Sequence, residues 1–174
     1  LAMGLSGNDQ IKIVCREEKG PLAESLEKKG IEVVAMNTPA IYKPDSIKKI
    51  FLLSRWLKKW QPDVVQTFLL KANIMGVLAA KLAGAKILLS GRTNMGYATK
   101  KSHYIVLKML DYLTTGTVIC SKAILNNTAS KGKIPVDKLH LIYNGIDPDK
   151  FLKGNNDPLK SKLGLPKNKK IVGI

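Results

Sequence analysis

The chain has 174 residues, with 29 Lys+Arg against 13 Asp+Glu and a formal net charge of +16. A chain of this length suits one domain of ordinary size, burying about 70% of its unfolded surface. With 45% apolar and 24% charged residues it is not a disordered chain. No run reaches about 18 uncharged apolar residues, so no bilayer span is read; the best stretch, 73–91, is interrupted by Lys81 and Lys86. Cys15 and Cys120 each end an apolar run and read as reduced, buried thiols of a cytosolic protein, because a disulfide scaffold or zinc site needs more. Only Arg16, Arg55 and Arg92 are arginines, so the positive charge is mostly lysine. Sequence-reading nucleic-acid interfaces rely on the arginine fork, and no specific nucleic acid is expected. The lysine excess fits either solvated helix faces or attraction to phosphates, acidic lipid head groups or a nucleic-acid backbone.

In chain order, short β-branched runs alternate with segments of helical spacing. Strands are predicted at 11–15, 31–36, 64–67, 87–90, 117–120 and 139–143, with helices at 22–29, 46–60, 71–83, 103–114 and 122–131 between them. Several strands are nearly all apolar, which suits burial on both faces of a parallel sheet. Gly30, Pro62, Gly84 and Gly116 stand between a helix and the next strand, where helix stops belong. The pattern is a doubly wound, Rossmann-like α/β domain, whose ligands are expected at the carboxyl ends of its strands. Residues 1–5 read as the end of a helix with no strand before it, and 169–174 as a strand without partners after a short helix at 159–163. The expectation is a fragment: a domain over 1–147 lacking its first strand, then a linker and the start of a second domain over 148–174.

The most specific local signal is Leu139-His-Leu-Ile-Tyr-Asn-Gly-Ile-Asp-Pro-Asp-Lys-Phe151. Asn144-Gly145 after a buried strand predicts a sharp reversal with positive φ, and Asp147 can cap the turn that follows. Within it, Ile142-Tyr-Asn-Gly-Ile-Asp147 resembles the I-x-N-G-(V/I)-D hinge motif of the family 4 (group 1) glycosyltransferases, enzymes of GT-B fold. Further pieces resemble that family in the same order: Gly20-Pro-Leu-Ala-Glu-Ser-Leu26, Pro62-Asp-Val-Val-Gln-Thr67, Ala72-Asn-Ile-Met-Gly-Val-Leu-Ala-Ala80 with Leu82-Ala-Gly84, Ser90-Gly-Arg-Thr-Asn94 and Ile119-Cys-Ser-Lys-Ala123. The collinear match covers nearly the whole chain.

The resemblance implies the N-terminal, acceptor-binding half of a retaining transferase, facing a cleft and a second domain that binds the nucleotide-sugar. It implies no essential metal and no cofactor; basic residues and a helix N-terminus of that second domain would hold the departing diphosphate. Its donor would be a nucleotide-sugar, and its acceptor a sugar or lipid-linked hydroxyl in polysaccharide or glycolipid synthesis. The phosphate-binding half and its E-x7-E motif are expected beyond Ile174, so the catalytic residues are not read here and this chain alone is expected to be inactive. Two other readings stay open: a non-enzymatic α/β module binding phosphorylated ligands or nucleic acid, and a GT-B epimerase or phosphorylase.

The substrate-binding candidates sit on strand ends. Arg92 and Asn94 lie in the 91–96 loop, where an arginine can hold a phosphate or sugar hydroxyls or stay solvated. Gln66 stands where many relatives carry a histidine; it removes a titratable group but can still hydrogen-bond a sugar. Asn73 either lines the acceptor pocket or caps the next helix, and Ser121 is a cap first and a cleft contact second. Asn144, Gly145 and Asp147 complete the set at the hinge. No metal ligands are read, because His103 and His140 have no Cys, Asp or Glu at ligand spacing and are placed on the surface. Asp111 is expected on the polar side of its helix or paired with a lysine.

Segment 45–60 carries a stripe of Ile47, Ile50, Phe51 and Leu57, widened by Leu53, Trp56 and Trp60 and bordered by lysines and Arg55. This is either a helix packed on the sheet or an interfacial helix resting on an anionic membrane. The second alternative would place the enzyme in the cytoplasm, peripheral on the inner face of the plasma membrane.

Overall fold

The structure is a computed structural model, in which residues 2–38, 44–94, 101–132, 134–146, 148–149 and 157–166 are described. Among these residues six strands form, β1 (Lys12–Cys15), β2 (Glu32–Ala35), β3 (Val64–Phe68), β4 (Ile87–Arg92), β5 (Gly116–Ile119) and β6 (Leu139–Leu141). Between and around them run α1 (Ala2–Leu5), α2 (Pro21–Glu27), α3 (Pro44–Trp60), α4 (Leu70–Ala83), α5 (Lys101–Leu113), α6 (Lys122–Gly132) and α7 (Asp157–Lys162). The predicted strands are all present, and the strand expected at 169–174 lies outside the described residues. The chain divides into two compact units, Leu1–Tyr143 and Asn144–Ile174, and among the described residues α7 is the regular element of the second.

Every strand pairing among the described residues is parallel, which demands a crossover between paired strands, and helices supply these crossovers. The strands fall into two sheets: β1 with β2, and β3-β4-β5-β6 in sequence order. Among the described residues β1 and β3 each pair on one side only.

One face of the four-stranded sheet is covered. Val65 and Leu88, side by side in register, pack with Leu53 and Leu57 of α3, Val77, Ala79 and Ala80 of α4, and Leu110 of α5. Val14 of β1 joins the same core, which ties the small sheet to the large one through α3 and α4. A second cluster joins Ile119 and Leu139 to Ile124 and Ile134. Side chains alternate along a strand, so Val64, Gln66 and Phe68 point to the opposite face together with Ile87, the register partner of Val64. There Val64, Phe68 and Ile87 are exposed, so this sheet is half-covered where burial on both faces was expected.

Gly30 and Gly84 do end helices, each with φ of 79°. Gly116 does not. It opens β5, where a Cβ would sit 2.9 Å from the His140 ring, so glycine is there for close approach of β6. The positive φ expected at Asn144-Gly145 is also absent; both residues are exposed and neither falls in the left-handed region. Cys15 and Cys120 are free but half-buried rather than buried.

Candidate functional site

The register of the large sheet sets the carboxyl ends of three strands side by side. Phe68 pairs with Gly91, and Arg92 pairs with Ile119. Just below this rim, on the covered face, Thr67, Ser90 and Thr117 form a row across β3, β4 and β5. All three are buried and satisfied. The Ser90 and Thr117 hydroxyls bond each other at 3.0 Å, and Thr67 Oγ1 donates to the Leu89 carbonyl at 3.3 Å. A hydroxyl row gives the sheet a polar layer, which packs beneath the middle of α4: a Cβ on Gly76 would lie 2.5 Å from Thr67 Cγ2.

The next step up the strands is the rim itself, and its central group is Arg92. Its side chain crosses to α5, where Nη2 is ion-paired with Asp111 Oδ2 in a nearly buried setting. Burial pushes the Asp111 carboxyl above its ordinary range, while the Arg92 guanidinium and, further off, Lys138 pull it back. Asp111 therefore sits in the interior facing Arg92, not on the polar side of its helix or against a lysine; the apolar neighbours of Asp111 in the sequence already pointed inward.

Asn73 belongs to the same cluster. It lies in the first turn of α4, only 3% exposed, and its Nδ2 donates to the Gly91 carbonyl at 3.3 Å. It is not the cap. That position is Leu69, with φ 70° and ψ 152°, a conformation almost reserved for glycine. Gly91 is in turn needed here, because any Cβ would meet Phe68 Cδ1 at 2.7 Å and the Thr67 carbonyl at 3.1 Å. Two polar atoms at this point, Arg92 Nε and Asn73 Oδ1, are buried without a hydrogen-bond partner among the described residues. Each unmet buried group costs about 1–3 kcal/mol. One is a donor and the other an acceptor, and hydroxyl groups can serve both.

The remaining candidates divide clearly. Ser121 caps α6, its Oγ accepting from Ile124 N at 3.3 Å, which is the role preferred for it. Asn94 is exposed two residues past β4, and the rest of its loop, from Met95, lies outside the described residues. Gln66 is half-buried on the far face of the sheet from Arg92, so the structure does not bring these two together. Asn144 and Gly145 belong to the second unit, and Asp147 lies outside the described residues. His140 is exposed, whereas His103 is half-buried rather than on the surface. Sequence reasoning missed the Asp111 contact and the strained Leu69; the first left a trace in an acid set among the leucines of α5, the second left none. No group of three or more His, Cys, Asp or Glu able to hold a metal occurs among the described residues.

Comparison with known proteins fits this geometry. The chain is 32% identical over 176 residues to the UDP-Gal:alpha-D-GlcNAc-diphosphoundecaprenol alpha-1,3-galactosyltransferase of Escherichia coli, with 91% of this chain and 43% of that protein covered. Among solved structures it resembles Anabaena Alr3699/HepE in complex with UDP and glucose, at a TM-score of 0.76 and 16% identity over 93% of this chain and 44% of that one. The same protein in complex with UDP gives a TM-score of 0.69 and 18% identity, covering 88% and 42%. The chain thus spans less than half the length of each of these relatives. The model of Glycosyltransferase Family 4 matches residues 1–150, and the chain belongs to that family, as the Rossmann-like N-terminal half of a GT-B fold.

Proposed function

We propose that this chain is the acceptor-side domain of a retaining glycosyltransferase, which moves a sugar from a nucleotide-sugar to an acceptor hydroxyl in polysaccharide or glycolipid synthesis. The observation that carries the reading is the strand-end rim of a family 4 domain in which Arg92 Nε and Asn73 Oδ1 are buried and unmatched among the described residues. A polyhydroxylated acceptor offers the hydroxyls those two atoms lack. Arg92 is held in place by Asp111, which fixes the direction of its free N–H before any ligand arrives. Asn73 is fixed through Gly91 in the same way. A lipid-linked acceptor is included in the proposal, because the E. coli relative is named for a diphosphoundecaprenol substrate. Such an acceptor places the enzyme in the cytoplasm, peripheral on the inner face of the plasma membrane.

The domain assignment is part of the proposal: 1–147 as the acceptor domain, with its first strand contributed by residues ahead of Leu1, and 148–174 as the linker and opening of the donor-binding domain. Support for the extra strand comes from the pairing, since among the described residues β1 and β3 each pair on one side only. The test is transfer by the full-length protein from UDP-sugars, UDP-galactose first, to a lipid diphosphate-linked sugar, with the product's anomeric configuration read by NMR. The expected product retains configuration, and Asn73→Ala raises the acceptor KM about tenfold while changing kcat less, as loss of one hydrogen bond to a bound hydroxyl predicts. An inverted product, or an acceptor KM unmoved by Asn73→Ala, contradicts the reading. The 174-residue chain by itself is expected to turn over no nucleotide-sugar, and turnover by it would refute the division of labour between the domains.

A further inference from the structure

Of the two alternatives for 45–60, packing on the domain accounts for one side of α3 and leaves the other side in solvent. Successive helical residues turn by about 100°, which sorts the helix into two arcs. The inner arc carries Ser46, Leu53, Ser54 and Leu57, all buried, and Leu53 and Leu57 close the core against α4. The outer arc, about 140° wide, begins at Ile47 and ends at Leu52. Its apolar members are Ile47, Phe51 and Leu52, which are 59%, 55% and 48% exposed. Its charged members are Lys48, Arg55, Lys58 and Lys59, all exposed and all cations. Asp45, in the first turn, is the only acid of the helix. The tryptophans are elsewhere. Trp56 and Trp60 are half-buried, with ring centroids 5.5 Å apart, and Lys12 Nζ of β1 lies 5.6 and 5.4 Å from the two rings. They cover the small sheet and do not widen the outer stripe as the sequence suggested.

An outer arc that alternates apolar and cationic groups, without an acid, matches a partner that is apolar and anionic at every point along the helix. A folded protein offers discrete acids at fixed places; the head-group layer of an anionic bilayer offers both properties everywhere. We infer that the outer face of α3 is the surface by which this protein docks on an anionic lipid bilayer, lying in the membrane plane with Phe51 and Leu52 among the acyl boundary and Arg55, Lys58 and Lys59 on the phosphates. The net charge of +16 adds long-range attraction toward the same surface. Among the described residues no helix is long and apolar enough to cross a membrane, so α3 lies on the bilayer and does not span it. The inference names the partner surface for the lipid-linked acceptor and rests on that reading. Vesicle binding needs no donor and no turnover, so its failure is distinguishable from a failure of sugar transfer.

The test is flotation of the full-length protein with vesicles of phosphatidylglycerol and phosphatidylcholine in equal parts, and with phosphatidylcholine alone. Binding is expected to the first and not the second, and it weakens as salt is raised. Arg55→Gln with Lys58→Gln is expected to weaken binding roughly 25-fold, taking about 1 kcal/mol per cation at the surface. Phe51→Ser with Leu52→Ser is expected to weaken it at least about tenfold, since both lose their apolar insertion. These side chains are exposed, and an unchanged melting temperature shows that the variants fold. A control is supplied by α5, whose exposed Ile105, Met109 and Tyr112 form another apolar stripe with Lys108 beside it. Met109→Ser with Tyr112→Ser should leave binding within about twofold, as no substituted residue touches the lipid-facing arc. Equal binding to both vesicle types, binding to neither, salt-sensitive binding to DNA in place of vesicles, or loss of binding through the α5 variant alone would each overturn the inference.

Discussion

Arg92 and Asp111 show how one contact can hold a site and limit stability together. Removing one partner from a buried ion pair leaves the other charge uncompensated, at a cost of about 3–5 kcal/mol. The direction of the Asp111 shift adds a pH signature. Burial raises its folded-state pKa above the unfolded value, so its contribution to stability is complete below the unfolded pKa and is lost as pH rises through the folded one. Arg92→Met removes the main group that pulls that pKa down and drives it higher still. The variant is therefore expected to lose about 3–5 kcal/mol at pH 7 and less at pH 4, because Asp111 takes up its proton as the pH falls. Urea unfolding at the two pH values measures this, and an equal penalty at both would show that Arg92 does not neutralise Asp111. Leu69 gives the opposite sign. Its φ of 70° with ψ of 152° costs about 1–3 kcal/mol, and its side chain is mostly exposed, so little burial is lost with it. Leu69→Gly is expected to stabilise by about 1 kcal/mol after the added flexibility of glycine in the unfolded chain is deducted, seen as a higher melting temperature. No local pattern in the sequence marks that turn, because a leucine with positive φ is imposed by the strand and helix on either side of it.

At the scale of elements, most of the fold was legible for a simple reason. Val64–Phe68 is rich in β-branched residues and Ile87–Leu89 is a short apolar run bounded by turn signals, while Gly30 and Gly84 stand between a helix and the next strand. What was not legible is which side of an element meets which neighbour. The stripe read for α3 mixed its two arcs, since Ile47 and Phe51 point outward while Ser46 and Ser54 are buried. Hydrophobicity alone cannot rank a helix face when serines pack against a close neighbour and phenylalanine faces out. Gly76 is another position of this kind. In α4 alanine would ordinarily be favoured over glycine by about 1 kcal/mol. Yet a Cβ there would overlap Thr67 Cγ2 in the hydroxyl row, and a β-branched side chain in a buried strand has little room to move. Gly76→Ala should therefore destabilise by about 1–3 kcal/mol despite its helix propensity. Adding Thr67→Ser removes the offending methyl and keeps the hydroxyl, and the double variant should recover most of the loss. A double-mutant cycle with no coupling between the two sites would refute the contact.

The site was half-legible at the scale of the molecule. Collinear motifs led to the strand ends, where Asn73 bonds the Gly91 carbonyl next to Arg92 and Arg92 pairs with Asp111. Gln66 came from the same motifs but sits on the other face of the sheet, because alternation along β3 decides its side and a motif carries no information about sides. The sheet itself leads to the last expectation. Parallel strands joined through a helix are almost always right-handed crossovers that return to a neighbouring position. On that rule the proposed first strand would run parallel to β1 and lead into α1, and the edges of β1 and β3 left unpaired among the described residues are the places where it would find partners on both sides. A free parallel edge leaves alternate backbone N–H groups without a ladder partner. Hydrogen exchange of the 174-residue chain is therefore expected to show alternate fast amides along β1 and β3 and slow ones in β4 and β5. In a longer protein that includes the residues before Leu1, those amides should become as slow as the ones in β4. Edges already protected in the shorter chain, or unchanged in the longer one, would mean that β1 and β3 do not flank a shared strand, and the proposed first strand would have to be abandoned.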